Sequence, residues 1–239
     1  MKILVSWSSG KDSAWLVHVL RRTSGIELGA LLTTINEAAN RVAMHAVRRQ
    51  LLEAQAEAIG LPLWIVPIPH PCPNDAYERA MRAAVERAVA EGFTHVAFGD
   101  LFLEDVRRYR ETRLAGSGLE PLFPIWKTKP TTDLAHDMIE GGLQARLTCV
   151  NPKQLNGRFA GRLFDRSFLA DLPAGIDPCG ENGEFHSFAF AGPMFKHPIP
   201  HRLGQIIERD GFVFADVELG TDPHFQQPQL GNRPKADGC

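Results

Sequence analysis

Cysteine is scarce in this chain of 239 residues, and the four present (Cys72, Cys149, Cys179 and Cys239) are widely spaced. No C-x-x-C pair occurs, so neither a zinc knuckle nor a thioredoxin-type redox motif is expected. Net charge is also small: 26 Lys+Arg against 28 Asp+Glu leave −2. That balance argues against a broad nucleic-acid footprint, although Arg107, Arg108, Arg110 and Arg113 make a local basic patch. No apolar run approaches the roughly 20 residues that span a bilayer. Met1 and Lys2 lead straight into a short apolar strand, with no signal-peptide pattern. A cytoplasmic, reduced protein with no membrane partner is expected. Internal repeats and low-complexity blocks are absent as well.

What is present begins at the N-terminus. Ile3, Leu4 and Val5 form an apolar run, Ser8-Ser9-Gly10-Lys11-Asp12-Ser13 follows, and Ala14 to Leu20 has helical character. A buried strand turning through small residues into a helix aims backbone N–H groups and the positive helix end at one point, an arrangement that binds phosphate. Lys11 adds a point charge, and Asp12 is suited to hold Mg²⁺ beside phosphates. The spacing is not of the Walker type, because Val5 occupies the place of the glycine that type requires. The bland alternative is a small-residue turn that only joins strand to helix. The stretch resembles the S-G-G-K-D-S signature of the PP-loop ATP pyrophosphatases, with Ser9 in place of the first glycine. That resemblance implies ATP cleavage between the α and β phosphates.

Hydrophobic residues make up 44% of the chain, enough for a sizeable core, and the length allows one large domain or two small ones. Strand and helix patterns alternate through the first half. Strand candidates are Ile26–Leu32, Leu63–Val66 and Phe93–Phe98; helix candidates are Val42–Ile59, a stretch from Asp75 to Gly92, and Leu101–Arg113. Leu119–Trp126 reads as extended. Such alternation predicts a parallel sheet with helices on both faces, and ligands in such sheets sit at the carboxyl ends of the strands. The phosphate loop, Thr33 to Asn36 and Gly99-Asp100 are therefore expected to converge on one crevice. Beyond about residue 131 the pattern changes. Thr132 or Asp133 starts a short helix, Leu143–Val150 and Glu184–Phe190 read as strands, and 156–169 reads as irregular. Asp210-Gly211 is a hairpin signal between Gln205–Glu208 and Phe212–Glu218. The expected organisation is an ATP-binding domain over 1–130, a smaller α+β domain over 131–219 and a flexible tail over 220–239.

The second dense cluster is Cys179-Gly180-Glu181-Asn182-Gly183-Glu184-Phe185-His186-Ser187-Phe188. As a strand it would put Glu184, His186 and Phe188 on one face. Such a block alone is consistent with a carboxylate or metal site, but taken by itself it reads first as a solvated hairpin with an exposed polar face. His70-Pro71-Cys72-Pro73 reads as a rigid loop, and His197 and His201, separated by prolines, cannot share a helix face as a zinc pair. Asp100 reads either as a site residue or as a helix cap. Arg107, Arg108 and Arg110 read either as a grip for an anionic substrate or as a solvated helix face.

Together the N-terminal loop, Gly99-Asp100-Leu101-Phe102, Pro121-Leu122-Phe123-Pro124-Ile125-Trp126 and the C-G-E-N-G-E-F-H-S-F block resemble the diphthine–ammonia ligase family of PP-loop ATP pyrophosphatases. The resemblance covers about residues 1 to 197. It implies an α/β fold, a parallel-sheet Rossmann-like PP-loop domain of the adenine nucleotide alpha hydrolase type followed by a smaller α+β domain. It also implies an AMP-forming carboxylate–ammonia ligase that uses ATP and Mg²⁺. A substrate carboxylate, on a small molecule or a protein, would attack the α-phosphate, and ammonia would then displace AMP. Eukaryotic and archaeal members carry an E-G-G-E-[FY]-E-T-like block; the Asn182 and His186 variant is similar to a bacterial branch with a suggested role in cobalamin salvage, so the acceptor need not be diphthine.

Carried onto this sequence, the resemblance makes Lys11, Asp12, Asp100 and Glu184 catalytic. Ser8, Ser9, Gly10, Lys11, Asp12, Ser13, Thr33 and Asn36 would bind ATP, and Asp12 with Asp100 would hold Mg²⁺. Glu181, Asn182, Glu184 and His186 would bind substrate or orient ammonia. No glutaminase domain or N-terminal Cys nucleophile is expected, so ammonia would come free or from a partner; a homodimer is compatible with the sequence. Two rivals stand beside this reading. A tRNA-modifying thiolase would need a persulfide cysteine pair, for which Cys149 and Cys179 are candidates. A nucleotide-binding sensor would hold ATP without turnover.

Overall fold

A computed structural model describes residues 1–42 and 45–220. In chain order it contains β1 (Lys2–Ser6), α1 (Lys11–Arg21), β2 (Glu27–Asn36), β3 (Arg41–Val42), α2 (Arg49–Ile59), β4 (Leu63–Ile68), α3 (Asn74–Ala90), β5 (His95–Ala97), α4 (Glu104–Leu114) and β6 (Glu120–Leu122). There follow α5 (Thr131–Glu140), β7 (Gln144–Val150), a 3-10 turn at Gly157–Phe159, α6 (Arg166–Asp171), β8 (Phe185–Ala191), β9 (His201–Arg209) and β10 (Phe212–Leu219).

The first sheet is mostly parallel. β1 lies at its centre between β2 and β5, with β4 outside β2 and β6 outside β5. Ile3, Leu4 and Val5 are all fully buried, as a strand covered on both faces requires. Ile3 and Val5 join one apolar cluster; Leu4 points into another, formed with Trp64, Ala84, Ala88 and Phe98. The chain leaves β1 toward β2 and β4 on one side and later fills the other side with β5 and β6. The crevice at such a reversal of strand order is the ligand position of open α/β sheets.

The second sheet is antiparallel, in the order β8-β7-β10-β9. The β9–β10 hairpin turns at Asp210 (φ 52°) and Gly211 (φ 79°), both left-handed, the conformation of a two-residue primed turn. The sheets share one core: Val5, Trp7, Leu16 and Leu51 belong to the same apolar cluster as Leu147, Phe188 and Met194. Fold class is thus as expected, a mixed α/β architecture with a parallel sheet and a smaller second sheet. No helix among the described residues is long and apolar enough to cross a membrane.

Local boundaries differ in places. The helix expected over 42–59 begins only at Arg49. Val42 lies in β3 and accepts at its carbonyl the N–H of Ala46 (3.0 Å), whose φ is 55°. The turn buries Val42 and Val47, so the apolar spacing there reports burial and not helix. Asp75 sits in the first turn of α3, behind the cap position held by Pro73. The stretch expected to be irregular contains α6, capped by Asp165 accepting from the Phe168 N–H at 2.7 Å. The expected tail lies outside the described residues from position 221 onward.

Candidate active site

The loop after β1 enters α1 through two unusual residues. Ser9 is fully buried with φ 69°, a left-handed conformation that a side chain makes costly. Gly10 occupies the cap position; a Cβ there would lie 2.6 Å from the His45 ring and 3.2 Å from the Ser187 carbonyl. The loop is therefore pressed against β8. Four hydrogen bonds fasten it there. The Lys11 N–H donates to Ser187 Oγ at 3.1 Å, and the Ala189 N–H donates to the Ser9 carbonyl at 2.9 Å. Gln55 Nε2 donates to the Ser9 carbonyl (2.9 Å) and to the Ala189 carbonyl (2.7 Å), joining loop and strand from α2.

Lys11 is almost fully buried, and its ammonium donates to both oxygens of Asp12 (2.9 and 2.8 Å) and to the Cys179 carbonyl. Burial alone would lower its pKa, but Asp12, Cys179 and Glu181 outweigh that and raise it. The ammonium also lies 5.5 Å from the centre of the Phe185 ring. Ser8 and Ser13 hydroxyls face each other at 3.1 Å, and Ser13 also donates to the Gly10 carbonyl at 3.0 Å. The Ser9 hydroxyl is the one buried side-chain oxygen without a hydrogen-bond partner among the described residues.

These groups wall a cavity of about 340 Å³, closed on the other side by Gly99, Asp100, Glu181 and His186. Gly99 approaches α1 so closely that a Cβ would meet the Asp12 and Ser13 backbone at 3.1–3.3 Å. Asp100 accepts from Arg110 Nε at 3.1 Å. Glu181 accepts from the Leu101 N–H at 3.1 Å, and burial first, then Asp12, lifts its carboxyl to about 7. His186 and His45 lie ring to ring at 4.8 Å, with His45 Nδ1 2.9 Å from the Ser187 carbonyl. Burial holds both imidazoles low, His186 at about 3 with help from His45 and Lys11. The site therefore presents neutral imidazoles at neutral pH.

Of the residues singled out from sequence, Ser8, Lys11, Asp12, Ser13, Asp100, Glu181 and His186 line this one cavity, while Ser9 and Gly10 form the backbone behind it. Thr33 lies one cavity away, in a space of about 210 Å³ over the ends of β1 and β2, with its hydroxyl given to the Trp7 carbonyl at 2.7 Å. Asn36 caps a turn, accepting from the Ala39 N–H at 3.0 Å, and Asn182 is exposed. Glu184 stands apart. It is buried, and its carboxylate accepts the Asp177 N–H (3.0 Å), the Asn182 N–H (2.9 Å) and Asn182 Nδ2 (3.2 Å). Its position is that of a clamp on the glycine-rich turn, outside the cavity lining. Arg107 stacks on Phe123 and Trp126, Arg108 is exposed, and Arg110 alone of the three reaches the cavity.

Sequence reasoning missed Gln55, His45 and Ser187. Gln55 lies mid-helix in an apolar stripe, the one available hint that an amide there has a buried partner. Cys149 and Cys179 are free, buried thiols; burial pushes Cys149 up to about 12 and Cys179 higher still. Thiolate is the reactive form of cysteine, and neither residue supplies it near neutral pH. Among the described residues no group of three His, Cys, Asp or Glu is arranged to hold a metal ion by itself.

The family model described as the diphthamide synthase N-terminal domain matches residues 1–119, and that described as the diphthamide synthase C-terminal domain matches residues 130–210. The chain is 27% identical over 243 residues to a diphthine–ammonia ligase of Danio rerio, covering 91% of this chain and 92% of the relative. It is 25% identical over 244 residues to the diphthine–ammonia ligases of Bos taurus and Homo sapiens, with 91% of this chain and 89% of each relative covered.

Proposed function

The chain belongs to the diphthine–ammonia ligase family, and from that premise we propose that it is an AMP-forming carboxylate–ammonia ligase whose ATP site is the loop Ser8–Ser13. The observation that carries this reading is the fastening of that loop to the Cys179–Phe188 block. Lys11 binds Ser187 through its N–H and the Cys179 carbonyl through its ammonium, so a phosphate cradle and an acidic turn form one site.

The chemistry balances as two displacements. A carboxylate oxygen of the substrate attacks the α-phosphorus, and the bond to the bridging oxygen breaks with its electron pair leaving on pyrophosphate. Ammonia then attacks the acyl carbon, loses a proton, and the bond to the phosphate oxygen breaks to release AMP. In the first step the head of α1, with the Ser8 and Ser13 hydroxyls, meets the phosphates that leave; oriented donors at developing charge are the main lever for such transfers. The positive end of α1, whose first residues Lys11, Asp12 and Ser13 line the cavity, fits a phosphate there. Asp12 and Asp100 face the same cavity and are the pair that would hold Mg²⁺, which usually takes one or two carboxylates and completes its shell with phosphates and water. When bound, it would supply charge neutralisation on the phosphates. Thr33 and Asn36 would meet the adenosine, Thr33 from the neighbouring cavity. Lys11 fixes Asp12 and the Cys179 turn.

In the second step Glu181 is the group that would receive the proton from ammonia, because its carboxyl is lifted to about 7; His186, which burial keeps unprotonated, would orient ammonia without taking its proton. Asn182 and Glu184 hold the turn that carries Glu181. The division of the chain into an ATP-binding part over 1–130 and an acceptor part over 131–219 belongs to the same proposal. The test is a purified reaction with ATP, Mg²⁺, ammonium and a panel of carboxylic acids, scored for AMP and pyrophosphate. Turnover with ammonium alone as nitrogen source is expected, abolished by Lys11→Ala and by Asp12→Ala. An absolute requirement for glutamine, or full activity in either variant, refutes it.

A further inference from the structure

We infer that the groove between α3 and α4 is the acceptor site, and that it takes an amphipathic organic acid carrying a second anionic group. The inference rests on the ligase reading above, because it names that enzyme's substrate class. The groove encloses about 280 Å³, the size of a small-molecule site. Its floor is apolar: Met81, Val85, Phe98 and Leu114, four side chains that also back the neighbouring cavity over β1 and β2. Its rim carries Arg82, Arg110 and Arg113. Arg113 is ion-paired with Glu78, the one carboxylate of the lining, and Arg110 with Asp100 beyond it, so among the described residues Arg82 is the rim cation that no carboxylate of the groove neutralises. Two tyrosines, Tyr77 and Tyr109, complete it, and Tyr109 is 43% exposed, a large ring left open to solvent.

Arg110 decides the direction in which a ligand would lie. With Phe98 it is one of two residues that line the groove, the cavity over β1 and β2, and the cavity at the phosphate loop, and of the two it alone is charged. It stacks on Phe98 at 4.5 Å, with Nε on Asp100 at 3.1 Å, so its guanidinium is oriented from two sides. A carboxylate gripped by Arg110 stands where nucleoside and phosphate spaces meet, the position from which an oxygen reaches the α-phosphorus. The body of the acid then runs over Tyr77, Met81 and Val85, and a second anionic group ends near Arg82. A guanidinium recognises carboxylate, sulfonate or phosphate through the same planar fork, so the shared chemistry is an apolar body with oxyanions at both ends.

The experiment uses 1-anilinonaphthalene-8-sulfonate, an apolar ring system with one oxyanion, on the full chain. One probe per chain is expected to bind, and to remain bound at saturating α,β-methylene-ATP. Ala115→Trp, which fills the groove from its edge, and Arg82→Glu, which reverses a rim charge, should each weaken the probe by about tenfold or more. Both should keep wild-type affinity for α,β-methylene-ATP, which reports that they are folded. Displacement of the probe by nucleotide would show that the groove belongs to ATP and overturns the inference; so does absence of saturable binding, or binding indifferent to both substitutions. Failure of the wild-type protein to bind nucleotide at all would instead sink the ligase reading, while the probe arms still decide the groove.

Discussion

Gln55 offers the sharpest test of how the site is built. It is completely buried in α2, and a single amide ties three segments: Trp7 donates its indole N–H to Oε1 at 3.1 Å, and Nε2 donates to the Ser9 and Ala189 carbonyls. Gln55→Met keeps length and volume while removing every one of these bonds. The Trp7 indole N–H, in a side chain only 2% exposed, is then stranded. The Ser9 carbonyl keeps the Ala189 N–H, so its loss is partial. One stranded buried donor costs about 1–3 kcal/mol and each lost neutral bond about 0.5–1.5, for a total of roughly 2–5 kcal/mol. In a chain of this size that is a fall in Tm of roughly 5–15 °C.

Gln55→Glu sharpens the test. A carboxylate at this place still accepts from Trp7 but faces two carbonyl oxygens with no proton to offer them. Its folded pKa must then rise above the unfolded value of about 4.3, and the penalty grows as pH climbs through that value. Urea denaturation at pH 4.5 and pH 7.5 should therefore find the Glu variant at least as damaged as the Met variant at pH 7.5, and less so at pH 4.5. A Met variant within about 0.5 kcal/mol of wild type, at unchanged m-value, would refute the reasoning. Because Gln55 positions the Ser9 carbonyl, nucleotide affinity should fall with stability, which a purely peripheral packing residue would not cause.

Three further outcomes are expected. His186 is held at about 3 by burial, His45 and Lys11; the unfolded chain takes up its proton first, so stability is complete above about pH 6.5 and lost as pH falls toward 3, by about 2 kcal/mol at pH 5, and His186→Gln should flatten that part of the stability–pH curve. Ser9→Gly removes both a left-handed side chain and an unpartnered buried hydroxyl, so Tm should rise, by about 1 kcal/mol of stability, while a clear fall would show that the hydroxyl has a native partner. Burial would raise the Asp216 carboxyl, but hydrogen bonds from Arg48 and Arg41 hold it at about 2; its contribution is present above about pH 4 and lost as pH falls through 2, and after discounting for partial exposure Asp216→Asn should cost about 1–2 kcal/mol at pH 7, less in high salt.

The sequence was most informative where local chemistry decides the backbone. The small-residue loop, the Asp210-Gly211 turn and the alternation of apolar segments all depend on neighbours within a few positions, and all stand where they were expected. It was least informative where burial comes from distant chain. Val42 and Val47 continue the apolar spacing of α2 although both precede the helix, because both are covered by the same core as the helix. Glu184 shows the same limit at the site. In a row of carboxylates nothing local separates Glu181, which faces the cavity, from Glu184, whose oxygens are consumed by two backbone N–H groups and an amide. Only the path of the turn from Asp177 to Asn182 distinguishes them. His45 gave no signal for the reverse reason, and Gln55 only that of an amide in an apolar stripe, since each lies in a segment whose own pattern does not name a distant partner.

That dependence on distant chain has a consequence for how the loop after β1 acquires its shape. Ser9 is held left-handed although serine disfavours it, and Gly10 sits where no Cβ fits. Neither condition is imposed by β1 or α1. Both follow from distant chain: Ser187 and Ala189 of β8 meet Lys11 and Ser9 across 176 and 180 positions of sequence, and the His45 ring with the Ser187 carbonyl leaves no room for a Cβ at Gly10. A strained residue persists only when its surroundings over-determine it, and here those surroundings are β8 of the second sheet together with Gln55 and His45. The cradle is therefore a product of the packing between the two sheets and not a property of its own six residues. On the proposed reading its donors would be fixed before nucleotide arrives, the condition under which oriented dipoles stabilise developing charge without reorganising. By the same logic the acidic turn cannot move independently of the loop, because Lys11 holds the Cys179 carbonyl and Asp12 with one ammonium. A change that loosens either motif must therefore be felt in the other.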